Sequence, residues 1–149
     1  MNSHSVQATI LARLVAAAEA QDPDEVETVL DDIWRFGADC SICSVLAQIL
    51  EAAWHIRHED IASCIQKMRC ETVVSALERT ALATYDYRAF DEFFALARKC
   101  TWALADIGTP EAHAALAHLS QSTNALVAGY ALKRLTCWEE ELPRKRKPE

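Results

Sequence analysis

Cys40-Ser41-Ile42-Cys43 is the first place in this sequence where residue type and spacing could do chemistry. Two cysteines three apart at the start of a helix are the arrangement of dithiol oxidoreductases, because the helix N-terminus lowers a thiol pKa. Those motifs normally follow a strand in a βαβ setting, and no strand is predicted here. With His55 and His58 the same pair reads C-x2-C-x11-H-x2-H, close to a zinc-finger spacing. The residues between look like one continuous helix. At about 1.5 Å per residue it would hold the two pairs roughly 15 Å apart, whereas zinc needs all its ligands within about 2.3 Å. His113 and His118 are five apart and do not share a helical face. No Ser-His-Asp order, phosphate-binding loop, dinucleotide glycine pattern or His-Glu-x-x-His motif is present. The sequence therefore offers no catalytic residue, no metal ligand set and no cofactor, and an enzyme is not expected.

The elements that would position these residues are helices. Alanine is abundant, glycine occurs three times in 149 residues, and apolar residues recur at helical rather than strand spacing. Val6, Ile10, Leu11, Leu14 and Ala18 share one face of a first helix over about Ser5–Ala20. Ala18-Glu19-Ala20 resembles a signal-cleavage site, but the first five residues hold no Lys or Arg and Arg13 interrupts the apolar run, so an amphipathic helix and a cytoplasmic protein are expected. The six cysteines are then expected to be mostly reduced and buried. Asp22-Pro23-Asp24 caps and opens a second helix to about Phe36, with Val26, Val29, Leu30 and Ile33 inward and Gly37 as terminator. Further helices are predicted at about Ser41–Trp54, Glu59–Lys67 and Glu71–Tyr85. Tyr87–Ile107 is too long for one surface helix and is expected to break near Ala95–Lys99. Gly108-Thr109-Pro110-Glu111 is a second stop and restart, and the remaining helices run to about Leu119 and over about Ala125–Trp138. From Pro143 to Glu149 a basic, disordered tail is expected, leaving residues 1–142 as one domain.

The segment Ala103-Leu104-Ala105-Asp106-Ile107-Gly108, then Thr109-Pro110-Glu111, then Asn124-Ala125 opening the next helix, resembles the HEAT-like repeat of bilin-lyase-type proteins, most clearly over residues 96–135. Small residues at Ala103, Ala105, Ala112, Ala114, Ala115 and Ala131 would let helices approach closely. The resemblance implies a short all-α solenoid of about four stacked helical hairpins, in which no hairpin can bury its apolar face alone. It also implies that the second helix of each pair lines the inner surface.

On that surface would stand Asp24, Glu27, Asp31, Asp32, Glu59, Asp60, Asp91, Glu92 and Glu111. The net charge is −7; the last seven residues hold four bases and one acid, so residues 1–142 carry −10. Such a body repels nucleic acid and anionic lipid and attracts basic surfaces. The function expected is binding of another protein, a basic one, in the manner of an immunity or antitoxin-type inhibitor. The rival readings are an enzyme or accessory subunit of the bilin-lyase kind, and a metal or redox sensor at the cysteine and histidine pairs. Among Trp34, Trp54, Trp102 and Trp138, the last is the one expected to be most exposed.

Overall fold

In the computed structural model, residues 3–145 are described. They form nine α-helices joined by turns and by one longer connection over residues 83–94, with no strand among the described residues. The helices are α1 (Ser3–Ala20), α2 (Pro23–Phe36), α3 (Cys43–Leu50), α4 (His58–Met68), α5 (Val74–Leu82), α6 (Ala95–Ile107), α7 (Pro110–Leu119), α8 (Ala125–Thr136) and α9 (Trp138–Lys145). Single 3-10 turns at Cys40–Ile42, Glu71–Val73 and Asp86–Arg88 lie in three of the connections. No helix among the described residues is long and apolar enough to cross a membrane.

Capping chemistry accounts for the sharpest boundaries. The Asp22 carboxylate accepts hydrogen bonds from the Asp24 and Glu25 N–H groups, and Pro23 occupies the first helical position. Val26, Val29, Leu30 and Ile33 of α2 are all buried, as the three-and-four spacing predicts. Between α6 and α7, Gly108 takes the left-handed conformation at φ 70° and the Thr109 hydroxyl accepts from Ala112 N–H. Asn124 caps α8 through the N–H groups of Leu126 and Val127.

Helix α6 is the centre of the core. Leu96, Ala97, Cys100, Ala103, Leu104 and Ile107 are buried on it, and it packs against α4, α5, α7 and α8. Small side chains at Ala97, Cys100 and Ala103 of α6 and buried Ile61, Ala62 and Ile65 of α4 belong to this core. Polar bonds run beside this seam, from Gln66 to the Asp106 carboxylate (2.7 Å) and from Lys99 to the Ser63 hydroxyl (3.3 Å). Elsewhere α1 packs on α2 and α3, α3 on α4 and α5, α5 on α7, and α7 on α8. These contacts are compatible with a helical bundle.

Four expectations need correction. The helix predicted to reach Trp54 ends at Leu50, and Ala52-Ala53-Trp54 lie in the turn that follows. The predicted break near Ala95–Lys99 lies earlier: residues 89–94 are irregular and α6 starts at Ala95. Cys43 and Cys70 form a disulfide with their Cα atoms 5.8 Å apart, so the cysteines are not all reduced. Cys64 and Cys100 are buried thiols, as expected.

The chain does not leave the helical path at Pro143, because α9 continues to Lys145. Residues 146–149 of the expected tail lie outside the described residues. Helix α9 is attached by Arg134, which is nearly buried, stacks 3.8 Å above the Trp102 ring and holds the Glu141 carboxylate at 2.7 Å.

Candidate partner-binding surface

The residues expected to form an acidic stripe divide into two groups. Five of the nine are tied to arginines. Arg13 of α1 pairs with Asp32 and Glu25 of α2. Arg57, in the turn before α4, joins Glu27 of α2 to Asp60 of α4. Arg88 joins Glu59 of α4 (2.7 Å) to Asp91 (2.8 Å). These pairs form a ladder from α2 across α4 to the segment before α6. Each arginine bridges two carboxylates and offsets one of their two charges, so every trio keeps one net negative charge. Asp24, Asp31, Glu92 and Glu111 remain as exposed acids. Glu111 is set apart from the others, beside Glu71 and Glu78 in the groove between α5 and α7.

At the end of this ladder lies the irregular stretch Ala89-Phe90-Asp91-Glu92-Phe93-Phe94. It is held at both ends. The Asp91 carboxylate accepts from the Ala95 N–H (2.7 Å), the Phe93 N–H (3.2 Å) and the Arg88 guanidinium (2.8 Å). Partial burial opposes the charge on Asp91, but those donors outweigh it and hold the carboxyl below its ordinary range. On the other side, the Tyr130 hydroxyl of α8 donates to the Phe93 carbonyl at 2.6 Å. Phe94 takes a left-handed φ of 53° to turn the chain into α6.

The product of this bracing is an outward display of aromatic rings. Phe90 is 79% exposed, Phe93 70% and Phe94 37%. Folding gains little from these rings, since burial is what makes an apolar side chain stabilising. The exposed carboxylates of Asp86 and Glu92 flank them. Behind the loop is a cleft of about 330 Å³, lined by Thr80, Ala81, Tyr85, Arg88, Phe94 and Leu96 among others. Thr80 is buried there beside Tyr85, whose hydroxyl is turned to the Leu50 carbonyl (3.3 Å).

Sequence reasoning missed this surface for a definite reason. Phe90, Phe93 and Phe94 are spaced i, i+3, i+4, the pattern of a buried helix face, and neither glycine nor proline interrupts them. Only the Asp91 side chain, placed to cap backbone N–H groups, marks the segment locally as a turn.

The histidines do structural work. His58 is fully buried; its Nε2–H donates to the Ala52 carbonyl and its Nδ1 accepts from the Tyr87 hydroxyl, both at 2.6 Å. His55 donates through Nε2–H to the Ile49 carbonyl (2.6 Å) and accepts the Arg57 N–H at Nδ1 (3.0 Å). Their rings stack 4.1 Å apart, and His58 also lies against Tyr85 at 3.9 Å. Both are therefore neutral; three of the four ring nitrogens tie down the turn after α3 and the fourth, Nδ1 of His58, holds Tyr87. Burial lowers both pKa values, that of His58 to about 4. With Cys43 in a disulfide as well, the C-x2-C-x11-H-x2-H reading has no ligand set. Among the described residues no three His, Cys, Asp or Glu side chains are grouped to hold a metal. Trp138 is partly buried against the edge of His113; Trp34, 45% exposed beneath Lys67, is the open one.

No known family, curated protein or solved structure matches this chain.

Proposed function

We propose that this protein is a protein-binding module whose partner seats on the Phe90–Phe94 loop. The observation that carries the reading is three phenylalanines exposed on a loop whose backbone is fixed by Asp91, Arg88 and Tyr130. An apolar display of this kind, ordered before binding, avoids the entropy of arranging it during association. The carboxylates of Asp86 and Glu92 beside it favour a partner that offers basic side chains around an apolar centre. Of the expected acidic stripe, Asp24, Asp31, Glu92 and Glu111 are exposed and unbridged by the arginine ladder, and Glu92 lies within the loop itself. In its more specific form, the module is an inhibitor that covers a basic toxin or enzyme.

The proposal also takes the helices as a HEAT-like stack of hairpins. It is supported by main contacts that join each helix to those near it in the chain, and by the glycine–threonine–proline junction between α6 and α7. A cytoplasmic location is the remaining part of the reading. There the Cys43–Cys70 disulfide would have to be one that turns over, since stable disulfides belong to oxidising compartments.

The test compares the wild type with a Phe90→Ser, Phe93→Ser double variant as immobilised baits, with the retained proteins quantified by mass spectrometry. Basic proteins should be retained by the wild type, lost from the variant and released by salt. Retention of the same proteins by both baits, or of none by the wild type, removes the proposal.

A further inference from the structure

We propose that Cys40, Cys43 and Cys70 form a thiol–disulfide exchange site, in which exposed Cys40 is the nucleophile that opens the buried Cys43–Cys70 bond to small thiols outside the protein. Cys43 stands in the first turn of α3 and Cys70 in the turn after α4. They are only 3% and 1% exposed. A thiol in solution has no direct approach to either sulfur, and in isolation this would be an inert structural bond.

Cys40 changes that. It is exposed, and it begins the 3-10 turn that leads into Cys43. The turn is set by Asp39, whose carboxylate accepts the Ser41 N–H at 2.9 Å, and by the Cys43 N–H donating to the Cys40 carbonyl. The Cys40 thiol points across to the carbonyl of Met68, 3.9 Å away and two residues before Cys70. The free thiol thus reaches from the strand of chain carrying one half-cystine to the strand carrying the other. The other three thiols offer no substitute: burial raises Cys64 to about 11 and Cys100 to about 12, which leaves them protonated and unreactive, and half-buried Cys137 lies in the junction between α8 and α9 rather than beside α3.

The exchange balances without any oxidant. Cys40 loses its proton and its thiolate attacks the Cys70 sulfur. The Cys40–Cys70 bond forms, the Cys43–Cys70 bond breaks, and Cys43 leaves as thiolate and takes up a proton. One sulfur of the new disulfide now faces solvent. A low-molecular-weight thiol of the glutathione class attacks at Cys40 and releases Cys70 as a thiol. A second such thiol attacks the mixed disulfide, regenerates the Cys40 thiol and departs as the small-molecule disulfide. Two external thiols are oxidised and the protein disulfide is reduced to two thiols.

The experiment incubates the folded, oxidised protein with reduced glutathione, quenches with N-ethylmaleimide and maps disulfides by peptide mass spectrometry. Cys40→Ser should slow reduction of the Cys43–Cys70 bond at least tenfold. It should leave the urea midpoint of the oxidised protein unchanged, and Cys137→Ser should behave as wild type. Brief exposure of the wild type should reveal a Cys40–Cys70 peptide pair. Reduction of the Cys40→Ser protein at the wild-type rate would show that the bond opens by local unfolding, and would overturn the proposal. A Cys40–Cys43 pair in place of Cys40–Cys70 would overturn the choice of sulfur attacked, and isolation of Cys43 and Cys70 as free thiols under oxidising conditions would overturn the site itself.

Discussion

Lowering the pH from 7 to 5 places a proton on His55 and His58 in the unfolded chain well before the folded chain accepts one. Each folded histidine has both ring nitrogens engaged in the neutral form, so protonation would put an acid hydrogen where Nδ1 now accepts one. With His58 at about 4 against an ordinary 6.5, the unfolded state binds more protons throughout that interval. The His58 contribution is complete above pH 6.5 and is lost as the pH falls towards 4. Its full size is about 3 kcal/mol, of which about 2 kcal/mol disappears between pH 7 and pH 5. His55 acts in the same direction. The carboxyls of Asp39 and Asp91 lie below the ordinary 3.8 and contribute only in stronger acid. Urea unfolding followed by circular dichroism at 222 nm reads the effect. With a slope of about 2 kcal/mol per molar, the midpoint should fall by about 1 M from pH 7 to pH 5. His58→Gln should be weaker at pH 7 but lose most of this pH dependence. A wild-type midpoint that does not move, or a His58→Gln protein that keeps the full slope, would refute the assignment of neutral, carbonyl-bound histidines.

Three further outcomes are expected. Cutting the Cys43–Cys70 link with Cys43→Ser, Cys70→Ser should lower stability by about 3–4 kcal/mol in the chain-entropy treatment, because it closes a loop with a sequence separation of 27; denaturant titration of the oxidised wild type against the double variant checks it. Asp22→Ala removes the acceptor for two α2 N–H groups and should cost about 1 kcal/mol, visible as a lower thermal midpoint. Leu104→Ala empties a site in α6 that is wholly buried and should cost about 2–5 kcal/mol, with no loss of binding through the exposed phenylalanines if the protein is kept below its melting temperature.

Where the chain announces its own turns, its helices could be read directly. Asp22-Pro23, Gly37, Gly108-Thr109-Pro110 and Asn124 act on the backbone within a few residues, so α2, α7 and the start of α8 follow from local chemistry. The failures are sites decided from afar. Ala52-Ala53-Trp54 would continue a helix, yet α3 stops at Leu50 because His55 and His58 fold back onto the carbonyls of Ile49 and Ala52. Residues 89–94 have helical spacing, but Arg88 bridging to Glu59 and Tyr130 reaching the Phe93 carbonyl fix another path. The acidic residues were visible as charges; the arginines that bridge them come from other elements, and no spacing rule pairs Glu27 with Arg57 across thirty positions. Nor could Cys70 be chosen as the partner of Cys43, since six cysteines allow many pairings.

The enclosure of Arg134 bears on what α9 can do. A guanidinium does not shed its proton to escape an unfavourable setting. Between the Trp102 ring and the Glu141 carboxylate it is satisfied; with Glu141 withdrawn it would be a stranded positive charge. Lifting α9 away from the body therefore means breaking the Arg134–Glu141 ion pair. A pull on α9 is consequently felt through Arg134 at Trp102 of α6, in the centre of the core.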